Sequence, residues 1–356
     1  MQRSRLVRLR QVMRGEGIDG VILSSPPAIR YFSGFTGSHA LCVITAHVAW
    51  FLTDSRYILQ SREEVHGFRR HITREGLLET VARLALLGGC RVVAFESHEL
   101  SVARYQVLKK LLPKIKLHPA ADLFESITLV KEPAEIALLQ KAVDISDAAF
   151  LEVLKFIHPA ITENEIAAHL TFLQKCAGAE GDSFDTIVAS GPRAAFPHAR
   201  ASLKRIRNGE LVIMDFGCTV GGYHSDITRT VAVGHASKKS KEIYHIVLQA
   251  QEEAIHAARA GMTAQELDSV ARKRIKQAGF GRYFPHSLGH GLGLRFHERP
   301  RVSPLGVETL QAGSVITIEP GIYLPGWGGV RIEDDVLLKP KGCRVLTKAP
   351  KELIIL

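Results

Sequence analysis

The sequence sets carboxylates where a soluble core strand would have none. Asp215 directly follows Val212, Ile213 and Met214, and Asp226 comes after it across Gly217, Gly221 and Gly222. A buried carboxylate left without a partner costs on the order of several kcal/mol, so something positive must sit against each. Further on, Glu319 ends the apolar run VITI, a Gly/Pro-rich connection follows, and Glu333 comes after Val330 and Ile332. Between the two pairs lies PHSLGHGLGLRFHERP, with His286, His290 and His297 among glycines. A hairpin with an even-numbered loop would put Asp215 and Asp226 opposite each other on one face. Two carboxylates that close stay ionised only around a cation. Four carboxylates balance two divalent ions, and an oxygen-rich set with one imidazole favours manganese or cobalt(II) over structural zinc. Arg331 stands two residues before Glu333, so strand alternation puts both on one face and makes the guanidinium a brace for the carboxylates.

Each acid alone has a plainer reading: Asp226 as a turn cap, Glu319 before Pro320 as a strand end. Together they read as a metal centre. Other chemistries fail on the residues. HSLGH lacks the glutamate of HExxH, GHGLG is not followed by a helical pattern, Ser190 sits in no nucleophile elbow, and Cys218 has acids on every side.

The elements that must hold these groups fall into two blocks. The start, MQRSRLVRLRQVM, keeps Leu6, Leu9 and Met13 at helical spacing and reads as the first helix, not a targeting segment. Residues 19 to 57 read as strands and turns. An amphipathic stretch near 76 to 87, the short strand in CRVVAFES, the helix ARYQVLKKLL and then KLHPAADL complete an α/β domain, residues 1–125. A long amphipathic helix with Ile136, Leu139, Val143, Phe150 and Val153 on its apolar side opens the second domain, residues 126–356. That domain carries an internal repeat. Thr162-Glu163-Asn164-Glu165 and Thr263-Ala264-Gln265-Glu266 both fit a capping box, and at the same offset Ala177-Gly178 matches Ala278-Gly279. A duplicated αα–β unit predicts an α+β domain with pseudo-two-fold symmetry and its ligand groups near the centre.

The 356 residues leave ample length for two cores, and 46% hydrophobic with 23% charged residues is an ordinary globular balance. The formal charge of +10 is scattered, without an aromatic-interleaved basic patch, which argues against a nucleic-acid partner. No apolar run reaches the length of a membrane span. Five isolated cysteines without a CxxC fit a reducing compartment, hence the cytoplasm.

The motifs MDFG, SDITRT, GHGLG, TIEPG and RIED, in this order, make the chain resemble the pita-bread metallopeptidases, in the branch of Xaa-Pro dipeptidase (prolidase) and Xaa-Pro aminopeptidase (aminopeptidase P). The resemblance spans nearly the whole chain, with YFSGFTGS and TDSRY belonging to a creatinase-type N-terminal domain. It implies two divalent ions per chain, with zinc also compatible. Asp215 binds one, Asp226 and Glu333 bridge both, and His290 and Glu319 complete the other. It further implies hydrolysis of Xaa-Pro bonds in proline-containing peptides by a metal-bridged hydroxide, with Glu319 as general base and then general acid. His198 and His297 match histidines that contact the reacting peptide, His286 a more peripheral one, and Tyr323 after EPG is expected to wall the pocket. A homodimer is the family expectation.

Dipeptides are the first substrate choice and longer peptides the alternative. A dipeptide presents a free carboxylate near the metals, which a guanidinium pairs well. Arg301, four residues past His297, is the candidate. A non-catalytic pita-bread binding module is the rival of a different class; the full set of five ligands argues against it.

Overall fold

The computed structural model describes residues 2–121 and 123–356; Met1 and Asp122, which fall in the expected first helix and in KLHPAADL, lie outside the described residues. The chain divides into one unit ending at Thr128 and a second spanning Leu129–Leu356. The helix Leu123–Thr128 straddles residue 125 and belongs to the first unit.

The first unit is a mixed six-stranded sheet. Its strand order is Arg69–Thr73, Ala49–Asp54, Ala40–Thr45, Gly20–Leu23, Val92–Phe95, Lys116–Pro119, with the two pairings made by Ala40–Thr45 antiparallel and the others parallel. The opening helix Gln2–Gly15 buries Leu6, Leu9 and Met13, the three residues whose spacing predicts it. One segment differs from the strand-and-turn expectation: Pro26–Ser33 is a helix. Ser25 caps it, prolines occupy its first turn, where a missing N–H costs nothing, and Gly34 ends it at φ 86°. Buried Glu96 accepts the N–H groups of Ser24 and Ser25 at 2.6 and 2.9 Å, which ties the helix start to the strand Val92–Phe95.

The second unit repeats one plan twice. Helices Pro133–Val153 and Glu163–Cys176 belong to the first copy, Lys238–Ala257 and Ala264–Gln277 to the second. Both capping boxes form. Thr162 N–H donates to Glu165 Oε2 at 2.8 Å and Thr263 N–H to Glu266 Oε2 at 2.8 Å, each hydroxyl accepting the N–H in return. Each copy then lays down three antiparallel strands with the second in the middle. They are Ile187–Ser190, Leu211–Phe216 and Ile227–Ala232 in the first, and Gly289–Gly291, Val315–Ile318 and Asp334–Leu338 in the second. The second copy adds Glu298–Val302 and Cys343–Val345 at its edges. The copies meet where the edge strand Ile227–Ala232 of the first faces Arg331–Glu333 of the second: Glu333 N–H donates to Thr228 O at 3.1 Å and Thr230 Oγ1 to Arg331 O at 2.9 Å. Apolar faces of the helices cover the sheets from outside, burying Leu170, Val188 and Met214 in one core and Val247, Leu267 and Ile316 in the other.

Candidate metal centre

Each copy delivers one acid at the end of its middle strand and one at the start of the next. In the second copy Ile318 pairs with Asp334, so Glu319 and Glu333 are the next residues out in register. In the first copy Asp215 pairs with Thr228 and Phe216 with Ile227. Asp215 and Asp226 therefore share a face but stand diagonally, not opposite as expected. The register is set by the Gly221–Gly222 turn. Both glycines have positive φ, 61° and 80°, as a two-residue primed hairpin turn requires, and Val220 faces Tyr223 across it. Counting outward from that pair puts Thr228 across from Asp215.

His290 reaches the acids from the strand Gly289–Gly291. Its Nδ1 donates to Gly291 O at 3.0 Å, which leaves the Nε2 lone pair facing Asp226 Oδ2 and Glu319 Oε1 at 3.6 Å each. Donor atoms of Asp226, His290 and Glu333 lie within 4.8 Å of one another. Burial, then the neighbouring His297, lowers the His290 imidazole to about 3, so it is neutral and ready to donate to a metal. Burial, then the charge of Glu333, pushes Asp226 and Glu319 well above the ordinary carboxylate range. Burial, then Asp215, raises Glu333 to about 8. Asp215 Oδ1 and Asp226 Oδ1 are buried without any hydrogen-bond partner. Oxygen acceptors enclosed together, unsatisfied and mutually repelling, next to an open imidazole nitrogen, fit hard divalent cations.

Arg331 is a cation built into the cluster. Its Nη2 donates to Asp215 Oδ2 at 2.5 Å and its Nε to Thr228 Oγ1 at 3.0 Å, and that hydroxyl donates onward to Glu333 Oε2 at 2.6 Å. Burial opposes its charge, but Tyr323, Asp215, Glu319 and Glu333 more than offset that, and the guanidinium stays protonated. Tyr323 does not wall the cavity. It is buried, and its hydroxyl is committed between Arg331 Nη1 at 2.8 Å and His286 Nε2 at 2.9 Å. His286 lines the cavity, yet its Nδ1 bonds Ser287 O at 2.8 Å, so both ring nitrogens are engaged. Burial, then Arg331, lowers it to about 3, and the neutral ring holds Tyr323 in place.

A cavity of about 880 Å³ opens over these groups, and His198, His297 and Arg301 line it. The His297 ring centroid lies 4.0 Å from that of His290, and desolvation lowers its basicity. Arg301 stands directly across from His290 in the antiparallel pair, hence on the same face. Its Nε donates to Ser287 Oγ at 3.0 Å, and its two terminal nitrogens make no hydrogen bond to the described residues.

Three residues beyond the expected set complete the surroundings. Thr228 joins Arg331 to Glu333, as above. Asp335 is buried and accepts the Asp226 N–H at 3.1 Å. Arg229, fully enclosed, donates to Thr228 O at 3.0 Å, to Glu333 O at 2.5 Å and to Asp334 Oδ1 at 2.8 Å. It also reaches Ala349 O at 2.8 Å and Pro350 O at 2.9 Å. The threonine and arginine of SDITRT were the visible signal: three consecutive polar residues, Thr228, Arg229 and Thr230, in a strand buried along its whole length.

Four carboxylates and one imidazole at the seam of a pseudo-symmetric α+β domain are the arrangement of a pita-bread metallohydrolase. Residues 137–340 match metallopeptidase family M24, and residues 5–130 match the creatinase/prolidase N-terminal domain. The chain belongs to metallopeptidase family M24. It is 40% identical to the Xaa-Pro dipeptidase of Pyrococcus furiosus over 357 residues, 99% of this chain and 100% of that one. Its fold superposes on the Xaa-Pro dipeptidase from Bacillus anthracis with a TM-score of 0.97, at 41% identity and full coverage of both chains. Against the X-Pro aminopeptidase from Thermotoga maritima the TM-score is 0.92, at 39% identity and 99% coverage of each.

Proposed function

We propose that the protein hydrolyses the peptide bond of Xaa-Pro dipeptides, using two divalent ions held by Asp215, Asp226, His290, Glu319 and Glu333. Manganese or cobalt(II) suits the donor set. When bound, the ions supply Lewis-acid polarisation of the scissile carbonyl and of the attacking water. The chain's own residues do the rest. Glu319, whose carboxyl is made proton-avid by its enclosure, takes the proton of the water and passes it to the proline nitrogen. His198 and His297 contact the reacting peptide from the cavity wall. Arg331 holds Asp215 directly and Glu333 through Thr228, so the acids keep their spacing as charge moves. The same reading includes a homodimer, from the family, and a cytoplasmic location, which the free cysteines support.

Arg301 carries the dipeptide preference. It lies on the His290 face with terminal nitrogens free to pair a carboxylate one residue past the scissile bond. An Xaa-Pro aminopeptidase is the second reading. Similarity to the Thermotoga maritima enzyme supports it, as does a cavity of about 880 Å³, larger than a dipeptide fills. Assaying manganese-loaded enzyme on Ala-Pro beside Ala-Pro-Ala separates the two. A higher kcat/KM on Ala-Pro is expected, the reverse order assigns the aminopeptidase, and no turnover of either substrate overturns both.

A further inference from the structure

Outside the metal centre, one enclosed ion pair touches the active-site loop from far away in sequence. Lys131 Nζ donates to Glu298 Oε2 at 2.8 Å, and the two side chains are only 1% and 6% exposed. The other oxygen, Oε1, accepts the N–H of Arg295 at 3.0 Å. Gly293 lies directly beneath the carboxylate, where a Cβ would come within 2.5 Å of Glu298 Oε2. Gly293 is itself pinned: its N–H donates to Arg295 O at 3.1 Å, and its carbonyl accepts His224 N–H at 2.9 Å. The segment between His290 and Glu298 is thus wrapped around one carboxylate, and His297 is the residue just before it. Lys131 is anchored by its own main chain, whose N–H donates to Gly313 O at 2.9 Å.

We propose that Lys131 is a positioning residue for His297, acting through Glu298. The proposal rests on the reading of His297 as a group that contacts the reacting peptide. A carboxylate enclosed to this degree holds its place only while its partner is present. Without the ammonium an enclosed acceptor is left unpaired and turns toward water, which releases the Arg295–Glu298 turn that sets the His297 ring beside His290. The metal ligands lie on other hydrogen bonds: His290 on Gly291 O and the Thr317 hydroxyl, the acids on Arg331, Thr228 and Asp335. The strap therefore governs rate and leaves metal content alone.

The test is Lys131→Met in full-length, manganese-loaded enzyme, with folding checked by circular dichroism and metal counted by elemental analysis. A drop of about 10²-fold in kcat is expected, the size that a displacement of about 1 Å produces at a reacting group, with KM little changed and metal content as in wild type. Glu298→Gln, nearly the same shape, is the second variant and should lose about 10-fold if the ammonium–carboxylate pairing sets the geometry. In a His297→Ala background neither change should cost anything more, since residues acting through one another are not additive. Wild-type kcat in folded Lys131→Met or Glu298→Gln enzyme would make the pair a plain structural element and overturn the proposal. So would losses that multiply with His297→Ala, or metal loss in step with activity. Fully active His297→Ala enzyme would overturn the reading of His297 itself and the strap with it, whereas a full His297→Ala loss beside unaffected strap variants would overturn the strap alone.

Discussion

Metal-free protein should lose stability as pH rises from 6.5 to 8, and Glu333 sets the scale of the loss. Its carboxyl is wholly enclosed, and burial followed by the charge of Asp215 moves it from 4.5 to about 8. Through that window the folded chain keeps a proton that the unfolded chain releases, so stability is full below the unfolded value and falls until the folded value is passed. At about 1.4 kcal/mol per pH unit, the whole shift corresponds to about 5 kcal/mol, and the part above pH 6.5 to about 2 kcal/mol. Asp226, Glu319 and Asp335 are shifted upward in the same sense, burial first, and steepen the decline. Two histidines oppose it at lower pH. His286 and His290 sit at about 3 in the fold against 6.5 free, so they cost stability as pH drops below 6.5 and are silent above it. The assay is urea denaturation of chelator-treated protein at several pH values between these limits, wild type beside Glu333→Gln. The glutamine cannot titrate, so the difference between the two proteins should change by about 2 kcal/mol across the window. Adding manganese should reverse the trend, because the ions favour the ionised carboxylates. A flat or rising wild-type profile in the metal-free state, or identical slopes for both proteins, would refute the account of the cluster as mutually repelling acids held short of their charge.

Chelated enzyme should be inactive and recover with manganese or cobalt(II), while Asp226→Ala and Glu333→Ala should not recover; full activity in protein that elemental analysis finds metal-free would remove the dinuclear assignment. His198→Ala should lower kcat by about 10²-fold with metal content unchanged, the loss fitting a group that acts on the reacting atoms, whereas parallel loss of metal would make it structural. Arg301→Ala should weaken kcat/KM for Ala-Pro by about 1.5–3 kcal/mol and scarcely touch Ala-Pro-amide, which has no carboxylate to pair; equal losses on both substrates would take Arg301 out of the site.

The groups that were legible in the sequence are those whose type is wrong for their surroundings. Asp215 after three apolar residues and Glu319 at the end of VITI announce themselves, because an enclosed acid demands a partner. The duplicated helices were legible through their capping boxes, a local signal that needs no tertiary context. The diagonal register of Asp215 and Asp226 was written in the same stretch, in the Gly221–Gly222 turn, but is recovered only by counting from the turn outward rather than between the acids. Tyr323 misleads because an aromatic beside a site reads as a wall, and nothing local says that Arg331 and His286 claim its hydroxyl. Pro26–Ser33 misleads because its prolines look like strand breakers until Ser25 is recognised as the cap. The Lys131–Glu298 pair could not be read at all. Its members are 167 residues apart, and each alone is an ordinary surface residue type.

The five hydrogen bonds of Arg229 put an order on how this site is made. Two of its acceptors, the carbonyls of Ala349 and Pro350, lie 120 and 121 residues further along the chain. During synthesis, Asp215 and Asp226 leave the ribosome long before the residues that satisfy the buried arginine beside them, and before Glu319 and Glu333 exist. A growing chain can fold its first unit and the first set of three strands, but holds only half the acids and an uncovered guanidinium at the edge of that sheet. The complete set of five candidate ligands is therefore assembled only late in synthesis, and the buried arginine beside it is satisfied last of all, when the segment around Pro350 closes over Arg229.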